Sequence, residues 1–84
     1  MVYMTEYPIV EVKWTDSKFY SHEWLTIEEA VSLDVGQCET YGFLIFEDYR
    51  KVIIAQTRNV DCETVHNLMI IPKACVKLIR ALGK

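Results

Sequence analysis

Glycine is scarce in this 84-residue chain, and its scarcity excludes several kinds of catalytic site. The three glycines, Gly36, Gly42 and Gly83, are too few and too widely spaced to build a phosphate-cradling loop or a nucleophile elbow. The two histidines, His22 and His66, stand in no recognisable catalytic motif. We therefore expect no enzymatic activity and assign no catalytic residues.

Cysteine is also scarce, which argues against a disulfide framework and against a metal centre. Cys38, Cys62 and Cys75 are odd in number and form no C-x-x-C pair. Cys62 and His66 have the spacing of two zinc ligands, but a structural zinc site needs four, and neither other cysteine is placed to complete the set. We expect a reducing compartment, no metal and no cofactor.

Long apolar runs and long basic runs are missing as well. No apolar stretch approaches the roughly 20 residues that a membrane-spanning helix needs. Residues 1–12 contain no basic region followed by an apolar one, as a secretory leader would. No cluster of lysine and arginine is typical of a general nucleic-acid binder. These features predict a cytoplasmic protein without a membrane partner.

What the chain does have is the composition of one globular domain over residues 1–84, with 51% hydrophobic and 25% charged residues. Its net charge of −3 conceals an asymmetry. Residues 1–48 hold ten acids and two lysines, whereas residues 49–84 hold two acids and seven bases. This pattern predicts either salt bridges between the two halves or a two-poled surface that favours self-assembly or an anionic ligand.

The most apolar stretch, residues 39–58, predicts two central strands joined by a polar turn at residues 47–50. Apolar side chains occupy both faces of each strand, and such strands must be covered on both faces. Leu44, Phe46, Ile53 and Met69 in particular are not expected to face water. The hairpin residues concerned are Tyr41, Phe43, Leu44, Ile45 and Phe46 in the first strand and Val52, Ile53, Ile54 and Ala55 in the second.

Shorter elements are expected on either side of this hairpin. Residues 9–14 alternate between apolar and polar, which predicts a first strand with one wet face, and residues 67–71 predict a fourth strand. Thr26 and Glu29 form a capping box that predicts a short helix over residues 27–33 with its apolar face on the core. Residues 72–82 fit either a helix or a single helical turn followed by a fifth strand; the strand is favoured because it would pair with the first strand.

This order predicts a mainly β (α+β) fold: a small, five-stranded, strongly bent barrel of the Sm-like or Src-homology type, with one short helix after the first strand. The strands carry more apolar surface than one such barrel can hide. We therefore expect a homo-oligomer, most simply a dimer, in which a second copy covers the surplus.

Aromatic and polar side chains at the loops form the candidate ligand site. The loop between the first strand and the helix is unusually aromatic, with Phe19, Tyr20, His22 and Trp24. Two tryptophans flanking one loop are either core residues or a stacking platform for a flat ring. On the second interpretation, neighbouring polar groups bind the edge of the ring or clamp an anion. The predicted ligand-binding residues are Trp14, Asp16, Ser17, Trp24, Arg58, Asn59 and His66.

Four short motifs are similar to those of a protein family. They are VEVKWTDS, a tryptophan (Trp24) ahead of a capped EEA helix, GFLIFEDYRKVIIAQT, and MIIPKACV. Together they resemble small proteins encoded by tailed bacteriophages, over about residues 9–80. The aromatic loop at residues 19–24, where glycine is usual, and Cys62 depart from the family pattern. The resemblance implies a compact, β-rich phage accessory protein in the bacterial host cytoplasm, and it implies no activity for any residue.

Two classes of function follow from these observations. The first is a non-enzymatic binder with a counter-defence role, which sequesters a small nucleotide-like anion or blocks a host protein. The second is an Sm-like nucleic-acid-binding or regulatory protein, which requires a basic groove that the acidic first half of the chain disfavours.

Overall fold

A computed structural model describes residues 7–19 and 24–83 of the chain. The fold is mainly β, as expected, with five antiparallel strands in one sheet. Residues 1–6, and Tyr20 and His22 of the aromatic loop, lie outside the described residues. The elements are β1 (Ile9–Asp16), α1 (Ile27–Val31), β2 (Gly36–Glu47), β3 (Lys51–Asn59), β4 (Thr64–Pro72), a 3-10 turn (Lys73–Cys75) and β5 (Val76–Ala81).

The sheet has the strand order β4-β3-β2-β1-β5. Each strand from β1 to β3 pairs with the next strand in the sequence, and β5 returns to pair with β1. No ladder joins β4 to β5 in the described part of the chain, so β4 and β5 are the edges of an open sheet. Closure into a barrel is therefore not part of the fold as described.

One face of the sheet holds the core. Val12, Val52 and Ile71 are fully buried there, on three different strands. Because β4 and β5 both contribute to this core although they lie at opposite edges, the sheet bends around it. The buried cluster is Val10, Val12, Trp14, Leu44, Val52, Ile54 and Ile71, with Cys38, Cys75, Val76 and Ile79 packed against it.

A β-bulge in β2 changes which face the following residues occupy. The register with β3 shifts between Leu44 and Phe46, so Leu44 points into the core cluster while Phe46 pairs with Ile53 outside it. Phe46 is nevertheless buried, beneath the ammonium of Lys51 at 5.2 Å from its ring centroid. The prediction that the apolar side chains on both faces of the hairpin strands are shielded from water is thus confirmed for Leu44 and Phe46.

The same prediction is wrong for the edge of the sheet. Met69 is exposed on β4, and its neighbours Leu68 and Ile70 are more exposed still. Ile53, which pairs with Ile70, is half-buried. An edge strand has a neighbour on only one side, so its side chains lose half of their cross-strand cover.

The predicted packing of α1 is also wrong. The capping box forms as expected: the Glu29 amide donates to the Thr26 hydroxyl at 3.0 Å, and the Thr26 amide donates to the Glu29 carboxylate at 2.9 Å. However, the helix spans only five residues, and Ile27 and Val31 are exposed rather than packed on the core. A capping box fixes where a helix begins, but it does not determine what the helix packs against. No helix in the described ranges is long and apolar enough to cross a membrane.

The two alternatives for the C-terminal segment are resolved in favour of the strand. A single 3-10 turn, Lys73–Cys75, follows β4, and β5 then pairs antiparallel with β1. The strands around the hairpin are longer than predicted. Most notably, β4 begins at Thr64 rather than Asn67, so His66 lies in a strand and not in a loop.

The charge asymmetry of the sequence is partly explained by salt bridges between the two halves. Arg80 contacts Glu11 at 2.6 Å, and Lys73 contacts Glu47 at 2.7 Å. Both ion pairs found among the described residues therefore join an acid of the first 48 residues to a base of the last 36. Partial exposure of Lys73 and Glu47 makes their pair weak, worth about 0–1 kcal/mol.

Candidate binding site

A groove of about 530 Å³ opens between the start of β2 and the β3–β4 hairpin. Its volume lies in the range of about 300–1,000 Å³ that is typical of ligand sites. We call this site the groove, and we call residues 56–67, the part of the hairpin beyond the β2 ladder, the arm. The groove is lined by Glu39, Thr40, Tyr41, Ile54, Gln56, Asn67, Leu68 and Met69.

The groove exists because β2 and β3 separate. Their ladder ends at the pair Phe43 and Ala55, after which β2 stays with β1 and β3 stays with β4. At this point the two strands are very close, since a Cβ on Gly42 would lie 2.5 Å from the Ala55 carbonyl oxygen. The groove therefore opens directly beyond a tight strand contact.

One edge of β2 faces the groove. The Leu44 amide donates to the Pro8 carbonyl at 2.8 Å, on the β1 side of β2. Successive residues of a strand direct their backbone groups to alternate edges, so Tyr41 and Glu39 direct theirs to the other side. With the β2–β3 ladder ended, those N–H and C=O groups point into the groove.

The lining combines apolar side chains with polar side chains that are mostly uncharged. Ile54, Leu68 and Met69 supply the apolar surface, and the side-chain amides of Gln56 and Asn67 supply hydrogen-bonding groups. Among the described residues that line the groove, only Glu39 carries a charge. Such a lining suits a partner that is partly apolar and neutral or basic, and it repels an anion.

Trp14, the first of the predicted ligand-binding residues, belongs to the core rather than to an exposed platform. Its ring is buried, and its indole N–H donates to the Thr40 hydroxyl at 2.9 Å. Thr40 lines the groove, so Trp14 lies directly behind it. Trp24 is 100% exposed ahead of α1, so the structure does not bring the two tryptophans together as one surface in the described residues.

The polar residues predicted beside Trp14 lie at the end of β1. Asp16 and Ser17 are both exposed there, and the Ser17 amide donates to the Asp16 carboxylate at 2.8 Å. Because the sheet is an antiparallel meander, this end of β1 and the far end of β3 lie at the same end of the sheet. Because β2 separates from β3, the groove nevertheless lies between the end of β1 and the far end of β3.

The remaining predicted site residues, Arg58, Asn59 and His66, lie on the arm, and the first two have partners within the chain. The Arg58 guanidinium stacks 4.6 Å from the Tyr7 ring centroid and 5.7 Å from that of Phe43. Asn59 accepts hydrogen bonds from the amides of Asp61 and Cys62 and so stabilises the β3–β4 turn. A cation on an aromatic face is worth about 0.5–2 kcal/mol, so Arg58 contributes to holding the arm.

The Cys62 and His66 pair does not develop into a metal site in the described structure. Both residues are exposed, Cys62 in the turn and His66 on β4. Within residues 7–19 and 24–83, no three His, Cys, Asp or Glu side chains come together as a possible metal-binding group.

A buried carboxylate lies behind the Glu39 wall of the groove. Glu11 is only 3% exposed, and it accepts hydrogen bonds from the Tyr41 hydroxyl at 2.8 Å and from Arg80 at 2.6 Å. The hydroxyl of Tyr41 also lies 3.0 Å from Glu39. A phenol has one proton, so it donates to one of these two carboxylates at a time.

These contacts shift two pKa values in opposite directions. The hydrogen bond from Tyr41, followed by the Arg80 guanidinium, lowers the pKa of Glu11 although burial opposes this shift. The bond to Glu11, followed by that to Glu39, raises the pKa of Tyr41 to about 12. The network therefore holds Glu11 ionised and Tyr41 protonated at neutral pH.

We expect the network to stabilise the fold only between two pH limits. Ionisation of Tyr41 removes its hydrogen bond to Glu11. The stability that Tyr41 contributes to the fold is therefore complete below its unfolded pKa of 10.0 and is lost as the pH rises towards about 12. The contribution of Glu11 is complete above its unfolded pKa of 4.5 and is lost as the pH falls below it. Urea unfolding at a series of pH values should show both losses in the natural protein.

Matched phenylalanine variants separate this network from the other tyrosines. Tyr41→Phe should remove the alkaline loss of stability, and its ultraviolet titration should lack the phenol that ionises near pH 12. Tyr49→Phe, at an exposed position in the β2–β3 turn, should change neither result. An unchanged alkaline limit in Tyr41→Phe would contradict the assignment.

Sequence reasoning did not identify the residues that line the groove. The sequence predicts Leu68 and Met69 in a strand that is covered on both faces, and it carries no signal of a binding site at Thr40 or Gln56. One usable signal was Asn67, a polar residue inside an apolar strand, which adopts a positive φ of 59°. Asparagine tolerates that conformation better than most residues do, so its presence marked an irregularity in β4.

Comparisons with known proteins add no assignment to this geometry. No family model matches the chain, and neither the curated proteins nor the solved structures contain a significant match.

Proposed function

We propose that this chain is a non-enzymatic binding protein, a phage accessory protein with a counter-defence role, and that it binds its target in the groove. The observation that carries the proposal is the separation of β2 from β3, which leaves a 530 Å³ site with both apolar and hydrogen-bonding surface. The resemblance of the sequence to small phage proteins supports the biological setting.

The scaffold we propose is the strongly bent small barrel of the Sm-like or Src-homology type. Its support is the strand order, in which β5 follows a 3-10 turn and returns to β1. The 3-10 turn contacts both β1 and β3, and Ile71 of β4 shares a core with Ile79 of β5. The two edges of the sheet therefore curve towards each other around one core.

Of the two kinds of target, the groove favours a host protein over a nucleotide-like anion. Glu39 would repel a phosphate group, and Arg58, the one basic residue predicted to clamp an anion, is stacked on Tyr7 and Phe43. The same argument disfavours the alternative function, Sm-like nucleic-acid binding, because that function requires a basic groove.

A second copy of the chain is the other partner that we propose. The sequence of β4 contains no Lys, Arg, Asp or Glu, although natural edge strands commonly carry charges that prevent pairing. Leu68 and Ile70 are exposed on this strand. Antiparallel pairing of β4 with β4 of a second copy would cover them symmetrically in a dimer.

The test of function is native mass measurement of the protein purified from phage-infected bacteria. The natural chain should retain a bound molecule without converting it, and Gln56→Trp, which fills the groove from an exposed position, should lose it. The control is Val60→Trp, which adds the same ring in the exposed β3–β4 turn and should retain the molecule.

Two results would overturn the proposal. The first is retention of the same molecule by Gln56→Trp at the natural level, since binding would then lie elsewhere. The second is calorimetry and mass measurement in which the natural chain binds no host protein and no nucleotide. A salt-sensitive gel shift with RNA or DNA would support the nucleic-acid-binding alternative instead.

A further inference from the structure

We propose that the groove binds an extended peptide segment that adds as a strand to the free edge of β2, with a lysine or arginine of the peptide facing Glu39. This inference rests on the proposed binding function and names the chemistry of the partner. It is the mode of recognition in which main-chain hydrogen bonds supply affinity and alternate side chains supply specificity.

The first step of the argument concerns the backbone. Tyr41 and Glu39 direct their N–H and C=O groups into the groove, because Leu44 bonds to the β1 side and the β2–β3 ladder ends at Phe43. An unpaired strand edge is a template for another strand. A peptide bound there would form hydrogen bonds with β2 beyond the point where β3 stops pairing with it.

The second step concerns the side chains that such a peptide would meet. Residues directly opposite each other on paired strands point to the same face. A peptide residue opposite Thr40 would therefore point to the core face, towards Ile54 and Met69, and should be apolar. The peptide residue opposite Glu39 would point to the other face and meet its carboxylate.

The third step concerns charge. The ion pairs in the described part of the chain are Glu11 with Arg80 and Glu47 with Lys73, so Glu39 is in neither. Lys13 is the partner of Glu39 across the β1–β2 ladder, but the two are not within ion-pair distance. Because Glu39 is the one charge among the described lining residues, a basic group is its natural complement.

The hydrogen bonds of Tyr41 and the ion pair of Glu11 determine which carboxylate is available to a ligand on the β2 side of the groove. The Tyr41 hydroxyl is held by Glu11 at 2.8 Å and lies 3.0 Å from Glu39. Arg80 pairs with Glu11, so the buried carboxylate is already neutralised and does not compete for the peptide's cation. The exposed Glu39 carboxylate is thus the charge that the groove presents to a ligand, with Lys13 and Lys77 on the side of Glu39 away from the groove and outside ion-pair distance.

The experiment uses the whole chain and three short synthetic peptides, measured by calorimetry. One peptide alternates valine with lysine, the second alternates valine with glutamate, and the third is the first with alternate amides N-methylated. We expect the lysine peptide to bind at least about tenfold more tightly than the glutamate peptide. N-methylation, which removes main-chain donors, should abolish binding.

Two variants locate the interaction. Glu39→Gln should reduce the preference for lysine over glutamate to about twofold or less while main-chain-dependent binding remains. Gln56→Trp should lose all peptide binding, and Val60→Trp should bind as the natural chain does. In hydrogen exchange, the lysine peptide should protect the amides of Glu39 and Tyr41, which face the groove, and should leave that of Thr40 unchanged because it already faces β1.

The outcomes distinguish this inference from the proposed function. If the natural chain binds the lysine and glutamate peptides equally, or binds neither, the strand-addition inference is wrong. If it then binds a nucleotide, and Gln56→Trp loses that binding, the proposed function of the groove survives without the inference. If Gln56→Trp retains every ligand that the natural chain binds, both fail together.

Discussion

Gly42→Ala should destabilise the protein by about 3 kcal/mol or more, the upper part of the range for overpacking. The added Cβ would lie 2.5 Å from the Ala55 carbonyl oxygen and 2.8 Å from Cγ2 of Ile54. The first of these atoms belongs to the backbone of β3, so no side-chain rotation relieves the contact. The two strands would have to separate at the pair where their ladder ends, and Ile54, which is buried, would have to move.

Urea unfolding measures this effect, and Gly36→Ala is its control. Gly36 begins the same strand, but a Cβ there would be 3.6 Å from its nearest neighbour, the Asp16 carbonyl oxygen, which is an ordinary contact. We expect Gly36→Ala to change stability by about 0.5 kcal/mol or less. Equal losses in the two variants would contradict the account, because glycine's backbone freedom and not the close strand approach would then explain both.

Gly42 also connects stability to the groove. The close approach of β2 and β3 at this glycine fixes where the strands meet, and the groove opens at the next residues of both strands. A variant that forces the strands apart here should therefore alter the width of the groove as well as the free energy of unfolding. For that reason Gly42 variants are unsuitable as probes of binding, whereas Gln56 and Glu39 are exposed and suitable.

The strands were predictable because their signals are local. Alternation marked β1, the two-sided apolar run marked β2 and β3, and the capping box marked the start of α1 at Thr26. The C-terminal strand was harder, because the helical periodicity of residues 75–82 competed with it. The need to pair the free edge of β1 decided in favour of the strand, and β5 does pair there.

The groove was not predictable because it depends on where two strands stop pairing. Nothing in residues 39–41 or 56–57 distinguishes a continued ladder from a separated one, since both carry polar and apolar side chains. The position of the bulge at Ile45 and the close contact at Gly42 are properties of the assembled sheet. Whether a tryptophan is buried also depends on the assembled sheet, so the sequence predicts Trp14 at the ligand site although its ring is buried and its indole N–H donates to Thr40 in the groove wall.

Two neighbouring residues of β4 should separate the stability of one chain from that of the assembly. Ile71 is 0% exposed in the core, whereas Ile70 is 58% exposed on the edge strand. Ile71→Ala should cost about 2–5 kcal/mol at any protein concentration, through the lost burial and the cavity that remains. Ile70→Lys should change the stability of the single chain by about 0.5 kcal/mol or less.

If β4 pairs with a second copy, the natural protein should unfold at higher urea as its concentration rises, because association stabilises the folded state by mass action. Ile70→Lys should abolish that dependence and give the mass of a single chain in sedimentation, since it places two ammonium groups at one symmetric interface. Ile71→Ala should keep the dependence while lowering the whole curve. An unfolding midpoint of the natural protein that does not change with concentration would show that β4 is not where copies meet.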